Sequence, residues 1–116
     1  MIWWKRDIGA WRAKTAHLTP LEKGVYVELL DHYYATEEPL PPDSASCWRI
    51  AGAKTQAENF AVDKILSTMF EKTADGFVQK RAEEEITKYQ AKHTKKVVRA
   101  TESWAKRKAL KLKVAK

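Results

Sequence analysis

A complete helix start lies in the first quarter of the chain, at Thr19-Pro20-Leu21-Glu22. Its threonine suits the N-cap, its proline suits the first helical position, and its glutamate closes a capping box. An apolar residue then recurs every fourth position from Leu21 to Tyr33, which is the spacing of a core-facing helical stripe. The pattern predicts a helix over Pro20–Thr36, which the run Pro39-Leu40-Pro41-Pro42 follows as an extended connection.

Capping and turn residues predict three further elements. Asp43 and Gly52 bound a short helix over Ser44–Ala51, and a longer helix is expected over residues 55–70. Two short β-prone stretches flank Asp75-Gly76, which is a hairpin signal. This order of short helix, glycine-containing turn, longer helix and hairpin predicts a winged helix-turn-helix over residues 1–81.

The composition of the two ends of the chain predicts their secondary structure. Residues 2–6 are predicted as a short apolar strand, and Gly9 as a break in the mixed segment that follows. No glycine or proline follows Gly76, and from about Ala82 helix-forming residues dominate. A long basic helix or tail is therefore predicted over residues 82–116, giving a mainly α fold with a small β-hairpin. The expected core aromatics are Trp3, Trp4, Trp11, Trp48, Tyr26, Tyr33 and Phe70.

The charge is unevenly spread along the chain. The 116 residues have a formal net charge of +7. Residues 1–86 hold 11 Lys and Arg against 14 Asp and Glu, a net of −3, whereas residues 87–116 hold 11 cations and one acid, a net of +10. This asymmetry is typical of a basic segment that meets a polyanion, either nucleic acid or an anionic membrane surface. The dispersed apolar residues of the tail argue against the membrane.

Several sequence blocks resemble a prophage-encoded family of YdaU-like proteins, a domain family of unknown function. The blocks are His17-Leu18-Thr19-Pro20-Leu21-Glu22-Lys23-Gly24-Val25-Tyr26, Leu29-Leu30-Asp31-His32-Tyr33-Tyr34, Pro39-Leu40-Pro41, Arg49-Ile50-Ala51-Gly52, Phe70, Asp75-Gly76, Lys80-Arg81 and Glu84-Glu85. The resemblance covers about residues 3–90. It implies a winged-helix module at the N-terminus of phage replication proteins, similar in role to origin-binding or helicase-loading factors, in the cytoplasm of a bacterial host. The chain departs from the family after Tyr89, where members often continue into a Gly- and Arg-rich linker.

The candidate DNA contacts lie in three places. On the helix over residues 55–70, an outward face is predicted at Gln56, Phe60, Asp63, Lys64 and Ser67. Because Asp63 lies on that face and Glu58 beside it, base reading competes with a solvated or protein-contacting role, and Phe60 is expected to cover a neighbouring element. The hairpin offers backbone contacts, and the C-terminal segment offers most of the cations. The predicted DNA-binding residues are Lys54, Gln56, Lys64, Lys72, Lys80, Arg81, Lys88, Lys92, Lys95, Lys96, Arg99, Lys106, Arg107 and Lys108.

The residues indicate a binding protein and no enzyme. There is no Gly-rich phosphate loop and no HExxH pattern, and the three histidines lack ligand spacing, so neither a metal nor another cofactor is expected. The lone Cys47 and the absence of a long apolar run favour a cytoplasmic protein without a membrane span. The leading hypothesis is a DNA-binding protein of replication initiation. The alternatives are a protein-interaction module with a replication partner, a homodimer through the C-terminal helix, and a transcriptional regulator.

Overall fold

The computed structural model describes Met1 and residues 3–93. These residues are mainly helical with one small antiparallel hairpin, which confirms the predicted mixture of elements. In chain order the elements are α1 (Ile8–Thr15), α2 (Pro20–Thr36), α3 (Ser44–Ala51), α4 (Gln56–Met69), β1 (Glu71–Thr73), β2 (Gly76–Val78) and α5 (residues 80–93).

Helix α2 has the predicted bounds because both of its ends are capped by local hydrogen bonds. The Glu22 amide donates to Thr19 Oγ1 at 3.2 Å, and the Thr19 amide donates to Glu22 Oε1 at 3.3 Å. These two bonds form a capping box. At the other end Glu37 adopts a left-handed conformation, with φ 56°, and its amide donates to the Tyr33 carbonyl at 2.8 Å.

Helices α3 and α4 follow the same rules. Asp43 caps α3 by accepting a hydrogen bond from the Ser46 amide at 3.0 Å, and Gly52 ends it with φ 77°. Thr55 and Glu58 form a second capping box at the start of α4. The prediction of α3 is therefore confirmed, and α4 begins and ends one residue inside its predicted limits.

The hairpin pairs β1 with β2 so that Lys72 lies opposite Phe77 and Thr73 opposite Gly76. Leu40, in the segment between α2 and α3, joins the outer side of β2. Its amide and carbonyl each form a 2.9 Å hydrogen bond with Phe77. Gly76 has φ 133°, and a Cβ added there would lie 1.9 Å from the Leu40 carbonyl oxygen, so this position requires glycine.

The core lies where α2 packs against α3 and α4. The largest fully buried side chains are Tyr26, Tyr33, Leu29, Leu40, Ile65, Val62, Thr15 and Cys47. The two buried tyrosines keep their hydroxyls hydrogen-bonded. Tyr26 accepts from Gln79 Nε2 at 2.5 Å, and Tyr33 donates to the Glu83 carboxylate. Burial raises the pKa of both phenols, so both stay neutral donors or acceptors.

The prediction for the N-terminal segment is wrong. Residues 3–7 form no strand, and Gly9 lies inside α1 instead of breaking a helix. Asp7 caps α1 by accepting a hydrogen bond from the Ala10 amide at 2.9 Å. The segment has no strand partner among the described residues and is held through an indole instead, because Trp4 stacks on Tyr34 and donates a hydrogen bond to Asp31.

The aromatic residues divide into three groups. Tyr26, Tyr33 and Phe70 are buried as predicted. The indoles of Trp4, Trp11 and Trp48 are half-buried. Trp3 is 65% exposed, so its assignment to the core is wrong. It precedes the first helix, where its neighbour Trp4 takes the packed position against Tyr34.

The chain forms two compact units, of which the first is Met1–Glu84 and the second begins at Glu85. Helix α5 begins two residues before the predicted start of the C-terminal helix. The predicted continuation of that helix to about residue 112 lies outside the described residues from residue 94 onward. The division into residues 1–81 and 82–116 stays a prediction.

Candidate nucleic-acid interface

The predicted DNA-binding residues that the structure describes are all exposed. Lys54 lies in the connection between α3 and α4, and Lys72 lies on β1. Gln56 and Lys64 lie on α4. The α5 members are Lys80, Arg81, Lys88 and Lys92. The other members, Lys95, Lys96, Arg99, Lys106, Arg107 and Lys108, lie outside the described residues.

The outward face of α4 has the predicted composition, but its charges are engaged within the protein. Asp63 accepts a 2.8 Å hydrogen bond from the indole Nε1 of Trp48. The ammonium of Lys64 lies 3.1 Å from Glu22 Oε2. Gln56 is exposed on this face, and its side-chain amide suits the base pattern of adenine. The face therefore offers little for reading a DNA sequence.

Glu58 caps the start of α4, in addition to its negative charge beside the outward face. Its carboxylate accepts a 3.1 Å hydrogen bond from the Thr55 amide, while its own amide donates to Thr55 Oγ1 at 3.2 Å. The hydrogen bonds from Thr55 and the Lys54 backbone hold the pKa of Glu58 below its usual range. The spacing of Thr55 and Glu58, a second capping box, was the sequence signal for this role.

Phe60 does not cover a neighbouring element, contrary to the expectation from the sequence. Its side chain is 71% exposed on α4, one turn from Lys64. The adjacent apolar positions of the helix, Ala61 and Val62, already fill the interface with the core. Because a helix presents one stripe to its partner, position 60 falls on the solvent side. Phe60 is therefore an exposed apolar side chain on the solvent-facing side of α4.

The hairpin presents its cation at the surface. Lys72 is exposed on β1, and its Nζ lies 5.9 Å from the centre of the Phe77 ring on β2. This cation–π contact orients the lysine over the hairpin. Lys80 and Arg81 follow β2 immediately, at the start of α5. The hairpin and the first turn of α5 thus place three exposed cations within ten residues of sequence.

A further group of cations was not predicted. Arg6 and Lys14, together with the predicted Arg81, line a cleft beside the rings of Trp4 and Trp11. The Arg6 guanidinium lies 5.0 Å from the centre of the Trp11 ring. The interleaving of tryptophans with cations in the first fifteen residues was the available signal, but it was attributed to core packing.

The homodimer predicted through the C-terminal helix uses a seam spaced by alternating steps of four and three residues, at Ile86, Gln90, His93, Val97, Ala100 and Trp104. The structure describes only the first part of this seam. Ile86 is buried, whereas Gln90 and His93 are exposed, and the rings of Tyr89 and His93 stack with centres 6.1 Å apart. The later seam positions, Val97, Ala100 and Trp104, lie outside the described residues.

The described residues contain no group of three or more His, Cys, Asp or Glu side chains placed to hold a metal ion. Burial, with the nearby charges of Asp43 and Asp63, raises the pKa of the Cys47 thiol to about 11. Cys47 is therefore a protonated core residue at neutral pH. No helix in the described part of the chain has the length and apolar character to cross a membrane.

Comparison with known proteins assigns a family but no activity. The family model described as "Protein of unknown function (DUF1376)" matches residues 2–87. No curated protein and no solved structure matches the chain. The expected membership of a domain family of unknown function is confirmed, and the YdaU likeness stays a prediction.

Proposed function

The chain belongs to the DUF1376 family of proteins of unknown function, and we propose that it is a non-enzymatic DNA-binding protein. In this proposal the hairpin and the basic C-terminal segment contact the phosphate backbone. The observation that carries it is the charge of residues 87–116, which hold 11 cations and one acid. Each phosphate that such a segment neutralises releases counterions, which gives affinity without sequence preference.

We propose that residues 1–81 form a winged helix-turn-helix. The order of α2, α3, α4 and the hairpin supports this proposal, with α3 and α4 joined by a short turn at Gly52. The pairing of Leu40 with Phe77 supports it further, because it gives β2 a second backbone partner, from the segment between α2 and α3. The hairpin is then the wing, and Lys72, Lys80 and Arg81 are its backbone contacts.

Helix α4 has a minor part in this mechanism. Gln56 is its base-reading candidate, and Lys54 at its start is a candidate for a phosphate contact. Lys64 and Asp63 already have partners within the protein. The affinity therefore rests on phosphate contacts, with little discrimination between sequences.

The proposed setting is replication initiation in a phage or prophage, in the cytoplasm of a bacterial host. The support is the resemblance of the blocks within residues 3–90 to YdaU-like proteins. Origin binding and helicase loading both require a protein that holds DNA while a partner acts on it. A backbone-binding module with a replication partner fits that requirement.

The wing assignment is tested by fluorescence anisotropy with a labelled duplex across a range of salt concentrations. Replacing Lys72 by Gln removes one phosphate contact, so the slope of log K against log salt becomes smaller by about 0.9. The matched control is Lys23→Gln, an exposed lysine on α2 outside the predicted set. Equal slopes for the two variants would show that Lys72 of the hairpin does not contact the DNA backbone.

A protein-interaction module is the second candidate, and the exposure of Phe60 favours it. A 71% exposed aromatic ring beside Asp63 suits a protein partner better than a phosphate backbone. Sedimentation over a range of protein concentrations tests self-docking. Self-association that Phe60→Asp abolishes supports this candidate, whereas a monomer at every concentration rules out docking of the chain on itself.

A further inference from the structure

The cations of the first compact unit are concentrated at its N-terminal end. Residues 1–15 hold four Lys and Arg and one Asp, a net of +3, whereas residues 16–84 hold 7 Lys and Arg against 12 Asp and Glu, a net of −5. The same fifteen residues include three of the five tryptophans, Trp3, Trp4 and Trp11. Basic residues interleaved with aromatic residues are the composition of surfaces that bind single-stranded nucleic acid.

The fold gathers these residues around one cleft. Its described lining includes Trp4, Arg6, Trp11, Lys14, Gln79 and Arg81, and none of the described lining residues is acidic. Two cations of the first fifteen residues, Arg6 and Lys14, thus meet Arg81 at the start of α5, which is far away in sequence. A cleft lined by charges of one sign raises the local concentration of anions at its mouth.

The aromatic wall of the cleft is held rigidly. Trp4 stacks on Tyr34 with ring centres 5.0 Å apart, and Trp11 stacks on Tyr26 with centres 5.2 Å apart. The Trp4 indole Nε1 donates a 2.8 Å hydrogen bond to Asp31 Oδ1. A ligand that binds here does not need to order these rings, which lowers the entropic cost of association.

The size of the cleft limits which chemical groups of a ligand can enter it. Its volume is about 20 Å³, which is room for about one water molecule. A nucleobase does not enter it, but a phosphate can sit at its mouth with one oxygen directed inward. An open hollow of about 470 Å³ shares Trp4 and Tyr34 with the cleft, and its lining consists of Met1, Trp3, Trp4, Asp31, Tyr34 and Ala35.

The hollow has the features of a base-stacking site. Trp3 is 65% exposed at its edge, so its indole is available to a ligand. Asp31 lines the hollow but not the cleft, and one of its carboxylate oxygens accepts the hydrogen bond of the Trp4 indole. Trp4 belongs to both linings and joins the two sites into one surface.

We propose that this surface binds single-stranded DNA, with a phosphate at the mouth of the cationic cleft and an unpaired base against Trp3. The proposal rests on the proposed DNA-binding function and gives it a second contact region with a strand preference. Bases of a duplex are stacked on each other and cannot reach Trp3, whereas the bases of a single strand can. The N-terminal surface thus selects unpaired DNA, while the wing and basic segment hold either form.

The test measures binding of the full chain to oligothymidylate and to a duplex, by anisotropy across a range of salt concentrations. Trp3→Ala lowers the affinity for oligothymidylate about ten-fold, the typical effect of removing one stacking ring. Trp3→Phe keeps a ring face and retains most of the affinity. Lys14→Gln reduces the salt slope for the single strand by about 0.7, and Lys23→Gln leaves it unchanged. Both Trp3 and Lys14 are exposed, so these variants keep the urea unfolding midpoint of the unmodified chain.

Two results separate this inference from the function on which it rests. If Trp3→Ala binds oligothymidylate as tightly as the unmodified chain while duplex binding persists, the N-terminal site is overturned and the DNA-binding function stands. If Trp3→Ala weakens single-strand and duplex binding equally, the strand preference is overturned. A full chain that binds neither DNA overturns both proposals.

Discussion

The ammonium of Lys64 lies 3.1 Å from a carboxylate oxygen of Glu22 and joins α4 to the first turn of α2. Glu22 is buried, whereas Lys64 is half exposed. The hydrogen bond from Lys64 is the largest cause that holds the pKa of Glu22 below its ordinary value, and the bonds from Thr19 act in the same direction. A lysine predicted to contact DNA therefore has a role in the fold.

Protonation of Glu22 at acidic pH is expected to lower the stability of the fold. Its pKa is lower in the folded state than its ordinary value of 4.5, so the stabilisation is complete above that value and is lost as the pH falls through the folded-state pKa. We expect the melting temperature of the unmodified chain to fall more steeply below pH 4.5 than that of Glu22→Gln. Circular dichroism melts from neutral to acidic pH measure this difference. Parallel curves for the two chains would contradict it.

Lys64 and Lys72 are expected to separate stability from DNA binding. Lys64→Gln removes the partner of a buried carboxylate, so it lowers the urea unfolding midpoint and leaves the salt dependence of DNA binding unchanged. Lys72 lies on the exposed hairpin, so Lys72→Gln leaves the urea unfolding midpoint unchanged and reduces the salt dependence of DNA binding. Chemical unfolding and anisotropy on both variants check the pair. An altered salt slope for Lys64→Gln would place α4 in the DNA interface after all.

Two glycines are expected to respond to alanine with opposite signs. A Cβ at Gly76 would lie 1.9 Å from the Leu40 carbonyl oxygen, and the φ of 133° disfavours any side chain, so Gly76→Ala destabilises the fold by about 2 kcal/mol or more. Gly24 lies exposed in α2 with nothing within 4 Å of an added Cβ, so Gly24→Ala stabilises by about 0.5–1 kcal/mol. Urea denaturation measures both. A neutral Gly76→Ala would show that the hairpin does not approach Leu40 as described.

Cys47 is expected to resist thiol reagents in the native protein. Its side chain is fully buried, its Sγ donates to the Pro41 carbonyl oxygen at 3.4 Å, and burial is the main cause that raises the pKa to about 11. Reaction with Ellman's reagent at neutral pH should therefore be limited by unfolding. The control is the same reaction in denaturant, where the thiol reacts at once. A rapid reaction in the native state would contradict the described burial.

Local signals account for the parts of the fold that were predicted correctly. Thr19, Asp43 and Thr55 each cap a helix by accepting a hydrogen bond from a backbone amide three residues later. Short stretches of sequence therefore determine where α2, α3 and α4 begin. Asp75-Gly76 specified the hairpin in the same way. These features need no information from distant parts of the chain.

The features that were missed depend on partners remote in sequence. Leu40 pairs with Phe77, 37 positions later, so β2 receives a second backbone partner from the connection between α2 and α3. The Trp48–Asp63 and Lys64–Glu22 contacts give two charged side chains of the outward face of α4 partners within the protein. The cleft unites Arg6, Lys14 and Arg81 only after the chain has folded. No local pattern indicates such pairings.

The salt dependence of duplex binding tests the central claim most directly. The measurement compares the full chain with a full-length variant in which Lys95, Lys96, Arg99, Lys106, Arg107 and Lys108 are replaced by Gln. If the basic segment supplies the phosphate contacts, the slope of log K against log salt becomes smaller by up to about 5 in the variant. An unmodified chain without salt-dependent binding, or a variant with the same slope as the unmodified chain, would contradict the account.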